Sequence, residues 1–236
     1  MTYLYINPFS TSWFLIITFY LFSCVALLAL GKCLSEKNVN KMTTSLGMYL
    51  LFDRIFSVYY YHRIDAFSLD YALPLSFCSI MAFFASFALI FRSQFFFEFV
   101  LFLGMTGPIQ AFITPAIVHA GEEYLLIDYF IYHGITIVTP IYMAFCLGFK
   151  PRKNAIYRVI VLMQILAAFV YAINLQLDAN YMYLNSSPDV DHPLNKHVWP
   201  LYLIYWHGLF YIAAFIIEGF FRLVDYIGKK TTDNII

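Results

Sequence analysis

Two side chains with the chemistry of nucleophilic catalysis, Cys78 and His133, occur within strongly apolar stretches of the chain. A thiol activated by an imidazole can attack an ester carbonyl and form an acyl-thioester. Burial disfavours the thiolate, so an imidazolium or a cation such as Arg54 is needed to stabilise it. The amide groups of Gln110 and Asn180 are candidates for stabilising the charge that develops on the carbonyl oxygen. These residues predict acyl transfer from an ester.

Asp53, Tyr181 and His207 complete the candidate site as substrate-binding residues, together with Arg54. Asp53 and Arg54 are consecutive and therefore point about 100° apart on a helix, so at least one of them needs a partner on another helix. A purely structural ion pair of Arg54 with Asp53 or Asp128 is the alternative interpretation. The four cysteines show neither a CxxC pair nor metal-ligand spacing, and we predict no metal and no cofactor.

The composition places these residues in a membrane. Of the 236 residues 62% are hydrophobic and 12% are charged, about half of the ~25% charged residues of soluble domains. Because a soluble protein of this size cannot bury so much apolar surface, the composition excludes a cytosolic enzyme, a disordered chain and a nucleic-acid-binding protein. Lys and Arg balance Asp and Glu, which gives no sign of a polyanionic partner.

Seven segments are long and apolar enough to cross a bilayer core that needs about 20 helical residues. We predict an all-α bundle of seven transmembrane helices forming a single domain over residues 1–236. A β-barrel is excluded because several of the segments are apolar on both faces. The predicted spans are 12–31, 43–62, 71–91, 95–118, 124–149, 155–177 and 198–224.

The positive charges predict an orientation. Eleven of the fourteen Lys and Arg residues fall in or beside alternate connections and the C-terminal segment, so these regions are predicted to be cytoplasmic and the N-terminus to lie outside. The external connection 178–197 is rich in Asn, Asp, Ser and Pro, including Asp189, Asp191 and His192. It is long enough to fold over the outer end of the bundle.

This orientation gives six polar residues a common depth, about 10–14 Å from the outer surface at 1.5 Å per residue. Because lipid would not tolerate these groups, we predict that they face one polar cavity in the outer half of the bundle. Asn180 and Tyr181 lie nearer the surface. A lone Cys in a membrane helix is more often a packing residue than a functional one, and an intramembrane His is about as often structural as functional. The prediction of a polar cavity therefore depends on the common depth of the residues and not on any one of them. The six residues are Asp53, Arg54, Cys78, Gln110, His133 and His207.

Four short motifs occur in order along the chain: LPLSFC at 73–78, GMTGPIQAFITP at 104–115, YHG at 132–134 and NYMYL at 180–184, the last followed by Pro188. Together they resemble the YwaF-like family of integral membrane proteins. The resemblance covers about residues 71–222. The family pattern usually begins the cysteine motif with a His, where this chain has Tyr71 and Ala72 before Leu73.

The resemblance implies chemistry on membrane lipids. Eukaryotic relatives resemble intramembrane cysteine acyltransferases acting on glycerophospholipids, and the more distant androgen-induced lipid hydrolases pair a Thr nucleophile with a His. Carried over by motif, Cys78 is the nucleophile and His133 its base. A lipid-ester acyltransferase or hydrolase is therefore expected, with a glycerophospholipid as substrate and partner.

Two other classes of protein remain as alternatives. A small-ligand transporter, or a binding or sensor protein without catalysis, would use Asp53, Arg54 and the histidines as ligand or proton contacts. The inner half of the bundle is almost purely apolar apart from Glu98 and Glu218, which disfavours transport. A structural membrane protein is the third possibility. In each case the protein is multi-pass, in the plasma or inner membrane if it is bacterial.

Overall fold

The chain folds into a bundle of long helices. The structure, a computed structural model, describes residues 3–118, 121–188 and 193–233, and this described part of the chain is 76% helical. The predicted all-α class is confirmed at this level. Asp189, Asp191 and His192 lie outside the described residues. The helices, numbered in chain order, are α1 Thr11–Cys33, α2 Glu36–Arg63, α3 Phe77–Phe91, α4 Gln94–Ile113, α5 Glu123–Leu147, α6 Ala155–Leu177 and α7 Leu201–Asp233.

Within the described residues, five helices have the length and apolarity needed to cross a membrane, namely α1, α4, α5, α6 and the stretch Leu201–Ile227 of α7. The protein is therefore a multi-pass membrane protein, as predicted. The other two helices depart from a simple span. The helix α2 carries charged residues in its middle, and α3 has 15 residues, which extend only about 22 Å.

The outer faces of the bundle are apolar. Large side chains of α1 and α7 are mostly exposed, including Phe19 at 75%, Phe22 at 72% and Ile216 at 67%. Continuous apolar surface of this kind is stable only against lipid or another protein. The interior lies between α3, α4, α5 and α6, where Leu89, Phe102 and Tyr142 are fully or almost fully buried.

The third helix begins later than predicted. Residues 71–76, expected to open the span 71–91, form turns and bends, and α3 starts at Phe77. Pro74 disfavours helical geometry in the residue before it, and the Ser76 hydroxyl caps the helix by accepting a hydrogen bond from the Ser79 amide at 3.2 Å. This places the first turn of α3, rather than its interior, in the region of the predicted site.

The fourth helix is irregular and also ends early. It consists of an α-helical turn, a π-helical segment Val100–Gly104 and a second α-helical segment Thr106–Ile113. The predicted end at 118 is wrong because Pro115 forces Thr114 out of the helical region, to φ −131°. Residues Ala116–Val118 instead form the strand β2, which pairs antiparallel with the strand β1, Tyr3–Tyr5.

Candidate functional site

A buried ion-pair cluster joins the second and fifth helices. Arg54 donates to Asp53 Oδ2 through Nε at 3.2 Å and through Nη2 at 2.7 Å. The same Nη2 also bonds to Asp128 Oδ1 on α5. The three residues are 9% exposed or less. The expectation that one of Asp53 and Arg54 needs a partner on another helix is confirmed. The two ion pairs of the structural interpretation, Arg54 with Asp53 and Arg54 with Asp128, are present together.

Aromatic residues of α5 enclose this cluster. Tyr124, Asp128 and Tyr132 are spaced four residues apart and therefore share one face of the helix. The Tyr124 hydroxyl lies 3.3 Å from Asp53 Oδ1, and the Arg54 guanidinium carbon lies 3.7 Å from the centroid of the Tyr132 ring. Such a cation–π contact is strongest where water is excluded. The guanidinium is thus held by two carboxylates and one ring.

The next residue of α5, His133, has a defined tautomer. Its Nδ1 lies 2.5 Å from the backbone oxygen of Tyr129, and a carbonyl oxygen can only accept a hydrogen bond. In the neutral ring Nδ1 therefore carries the proton and Nε2 has the free lone pair. The imidazole is 3% exposed and lies against two rings, with centroid distances of 4.5 Å to Tyr129 and 3.9 Å to Tyr132.

The predicted nucleophile, Cys78, is half-buried in the first turn of α3. Its thiol lies within electrostatic range of Arg54, Tyr129 and Tyr132. Two of these neighbours, Tyr129 and Tyr132, are also the rings beside His133. Among the described residues no hydrogen bond links Cys78 to His133, and what the two side chains have in common is their proximity to Tyr129 and Tyr132.

The backbone at Cys78 offers hydrogen-bond donors. The first N–H groups of a helix have no partner inside the helix. At the start of α3 the amides of Ser79 and Ile80 bond to Ser76, whereas those of Phe77 and Cys78 make no hydrogen bond in the part of the chain that is described. These two amides and the positive end of the helix dipole can stabilise negative charge near the thiol.

Two of the predicted site residues hold the connections that precede α3 and follow α6. Tyr181 accepts a hydrogen bond from the Leu73 amide at 2.9 Å and donates to the Leu69 carbonyl at 2.8 Å. It thereby fastens the segment that precedes Cys78. Asn180 bonds to Asn185 and Ser186 through its side-chain amide and so closes its own loop. Neither residue hydrogen-bonds to Cys78 or His133.

The remaining two predicted residues are satisfied by their own helices. Gln110 donates to the Thr114 hydroxyl at 2.7 Å on α4. His207 Nδ1 lies 2.7 Å from the Leu203 carbonyl on α7. Of the eight predicted residues, the structure thus groups Asp53, Arg54, Cys78 and His133, and gives the other four different hydrogen-bond partners. Within the described residues, no three His, Cys, Asp or Glu side chains are placed to hold a metal ion.

Sequence reasoning underrated the tyrosines and Asp128. Tyr124, Tyr129 and Tyr132 are not among the predicted site residues, and Asp128 is predicted only as a possible ion-pair partner of Arg54. The four-residue spacing of Tyr124, Asp128 and Tyr132 was the available signal, because it places a carboxylate between two rings on one helix face.

Comparison with known proteins gives one family. The model of the TMEM164 family matches residues 8–218, which is most of the chain, and the protein belongs to this family. No match was found among curated proteins or among solved structures. The prediction of a multispan membrane family is confirmed, while the YwaF-like resemblance and the relation to acyltransferases stay predictions.

Proposed function

We propose that this member of the TMEM164 family is an intramembrane lipid-ester acyltransferase or hydrolase, with Cys78 as nucleophile and His133 as general base. The single observation that carries the proposal is that Tyr129 and Tyr132, whose rings lie against the His133 imidazole, are both within electrostatic range of the Cys78 thiol. A base whose tautomer is fixed by a backbone carbonyl is oriented before substrate arrives.

Burial disfavours the Cys78 thiolate, and two features of its surroundings counteract this effect. The N-terminus of α3 and the Arg54 guanidinium both stabilise negative charge on sulfur, against the opposing effect of burial. Arg54 is itself held by Asp53 and Asp128, so it does not need to move to act. We assign Arg54 and the two aspartates to positioning and electrostatic support.

The proposed reaction has two halves. In the first, the Cys78 sulfur attacks the ester carbonyl carbon, its proton passes to His133 Nε2, and the carbon–oxygen bond to the lysolipid breaks. The imidazolium returns the proton to the departing lysolipid oxygen. In the second half, the hydroxyl of a lysolipid or of water attacks the thioester, and the thiol is regenerated.

The backbone amides of Phe77 and Cys78 are better oxyanion donors than the predicted Gln110 and Asn180. Both amides lie at the nucleophile and lack partners in the described structure, whereas the Gln110 and Asn180 side chains already make hydrogen bonds elsewhere. Donors that are fixed before reaction stabilise developing charge without reorganisation.

The substrate class follows from the site's place in the membrane. We retain the seven-span arrangement with an external N-terminus and a cytoplasmic C-terminus, which the distribution of Lys and Arg supports. Cys78 then lies in the outer half of the membrane, away from cytoplasmic acyl-CoA. A membrane glycerophospholipid is the acyl donor that can reach it, as the family resemblance also implies.

The alternative of a transporter or sensor is favoured by the Asp53–Arg54–Asp128 cluster, because intramembrane charges commonly mark ligand or ion pathways. Two acids predicted to interrupt the inner half have arginine partners: Glu98 pairs with Arg152, and Glu218 with Arg222. These pairs support a structural role for both acids and give no continuous polar path.

The test is a search for the acyl-thioester. Purified protein is incubated with a phospholipid carrying an alkyne-tagged acyl chain, and tagged protein is measured before and after neutral hydroxylamine. We expect a hydroxylamine-sensitive adduct that is lost in Cys78→Ala and strongly reduced in His133→Gln, while Cys33→Ala, at an exposed cysteine, is unchanged. Absence of any adduct on the wild-type protein, with equal lipid turnover by Cys78→Ala, would favour the binding or transport alternative.

A further inference from the structure

A second polar cleft lies between the first turns of α4 and α6. Glu98 is 2% exposed and accepts hydrogen bonds from the Arg152 backbone amide, Nε and Nη2 at 2.8–2.9 Å. Arg158 Nη2 lies 3.6 Å from the same carboxylate. The arrangement satisfies Glu98 and leaves the two arginine side chains 53% and 47% exposed.

The cleft carries a net positive charge. Two guanidinium groups face one carboxylate, so one positive charge is not neutralised. The helices α4 and α6 both begin here, at Gln94 and Ala155. The positive ends of their dipoles add to the positive potential of the cleft. An anion is therefore the ligand that this end of the cleft would attract.

The other walls of the cleft are hydrocarbon. Its volume is ≈ 180 Å³, and Phe95, Phe99, Val159 and Leu162 line it beside the charged residues. Leu162 follows Arg158 by one helical turn, and Phe99 follows Phe95 by one turn, a step of about 5–6 Å along each helix. Phe95 and Leu162 are 43% and 36% exposed on the outside of the bundle. The cleft therefore has a charged end at the arginines and continues along the two helices as an apolar groove.

We infer that this cleft binds an anionic phospholipid, with its phosphate at Arg152 and Arg158 and one acyl chain along Phe99 and Leu162. Basic pockets between helices at the membrane boundary recognise anionic headgroups in this manner. The hydrocarbon walls select a lipid over free phosphate. By the distribution of Lys and Arg, the site faces the cytoplasmic leaflet.

This lipid site is separate from the Cys78 region and does not rest on the proposed function. Cys78 lies in the first turn of α3, whereas α4 begins just beyond the other end of that helix. The 15 residues of α3 put about 20 Å between the two regions. A lipid bound in the second cleft would therefore be a structural or regulatory ligand and not the acyl donor.

The test compares lipid retention by purified full-length protein in neutral detergent, measured by native mass spectrometry. The probes are dioleoyl phosphatidylglycerol, dioleoyl phosphatidylcholine and inorganic phosphate. We expect the wild-type protein to retain phosphatidylglycerol preferentially, and excess phosphate not to displace it. Arg158→Gln, which leaves the Arg152–Glu98 pair in place, should weaken phosphatidylglycerol binding by roughly fivefold, the effect of one basic residue at a membrane surface.

A second variant and a control separate the two halves of the cleft. Leu162→Trp fills the apolar groove while leaving every charge, and it should also reduce phosphatidylglycerol retention, even if Arg158→Gln fails to fold. The matched control is Lys37→Gln with Lys41→Gln, which removes two exposed cations from an open groove elsewhere and should change nothing.

Equal retention of the two lipids by the wild type would overturn the inference. Unchanged binding in Leu162→Trp, or displacement by phosphate at lipid-like concentrations, would equally overturn it.

Discussion

At the level of single residues, the cluster around Arg54 is defined by charge pairing in an environment without water. Asp53 and Asp128 both bond to one guanidinium, and Tyr132 lies under it. The desolvation cost of each charge is offset only while all of its partners are present. A substitution of the central residue should therefore affect the protein more than a substitution at the edge of the cluster.

We predict that Arg54→Met lowers the free energy of unfolding by about 3–5 kcal/mol, because it leaves two buried carboxylates without a cation. Adding Asp128→Leu to this variant should restore part of the loss by removing one of the unpaired charges. The measurement is reversible unfolding in mixed micelles, followed by tryptophan fluorescence.

The control for this prediction is Arg92→Met. Arg92 is only half-buried and its guanidinium donates to the Asn40 carbonyl in an exposed hydrogen bond, so its replacement should cost about 1 kcal/mol or less. Equal losses for Arg54→Met and Arg92→Met would show that the buried cluster is not held by charge pairing.

Which residues meet could be predicted only in part. Depth along the helices followed from counting residues, and the partner expected for Arg54 on another helix is Asp128 of α5. Rotation about each helix axis did not follow, because lipid-facing and core-facing surfaces are both apolar in a membrane. Gln110 and His207 were expected at the same depth, but Gln110 bonds to Thr114 at the end of its own helix and His207 to Leu203 within its own helix.

At the level of elements, the start of α3 is set by contacts from both sides. Tyr181 holds the segment before it, and Gly107 of α4 packs against the ring of Phe77. A Cβ atom at Gly107 would lie 2.3 Å from that ring, which is closer than any real contact. The glycine is therefore required for α4 to approach the turn that carries Cys78.

We predict that Gly107→Ala displaces Phe77, costs about 1–3 kcal/mol of stability through overpacking and reduces acyl-thioester formation at the adjacent Cys78. The matched control is Gly208→Ala on α7, where nothing lies within 4 Å of the added methyl group. That change should be neutral or stabilise by up to about 1 kcal/mol, since alanine is the better helix former. Thermal unfolding and adduct formation are measured for both variants, and equal behaviour would contradict this packing argument.

The two wrong helix boundaries both follow local signals next to a proline. Ser76 and Pro74 form a helix-start signal that was present in the sequence, but apolar residues on both sides made the segment resemble a longer span. The end of α4 depends on Pro115 in the same way. The π-helical segment Val100–Gly104 has no comparable local signal, because it depends on packing against α3, α5 and α7, which only the assembled bundle supplies.

At the level of the whole molecule, the sequence determined the class of protein most firmly. The exposed apolar surfaces of α1 and α7 and the five long apolar helices agree with the composition. Two predicted spans depart from that simple form: α2 places Asp53 and Arg54 against other helices, and α3 is short and preceded by irregular backbone. Such backbone is tolerated at membrane depth where protein covers it, and Ala72 within it is 4% exposed.

The orientation proposed from the distribution of Lys and Arg predicts how single cysteines are labelled in sealed, right-side-out vesicles. Cys33 is exposed at the end of α1, next to Lys32, and the positive charges there predict a cytoplasmic position. With the other three cysteines replaced by alanine, Cys33 should react with a membrane-impermeant maleimide only after the vesicles are opened. A cysteine placed at Ser187, in the connection predicted to be external, should react in the intact vesicles. Seven crossings put these two sites on opposite sides of the membrane. Labelling of both sites from outside would require a different number of crossings, and labelling of Cys33 alone would require the reverse orientation. The reverse orientation would open the Cys78 site to the other leaflet.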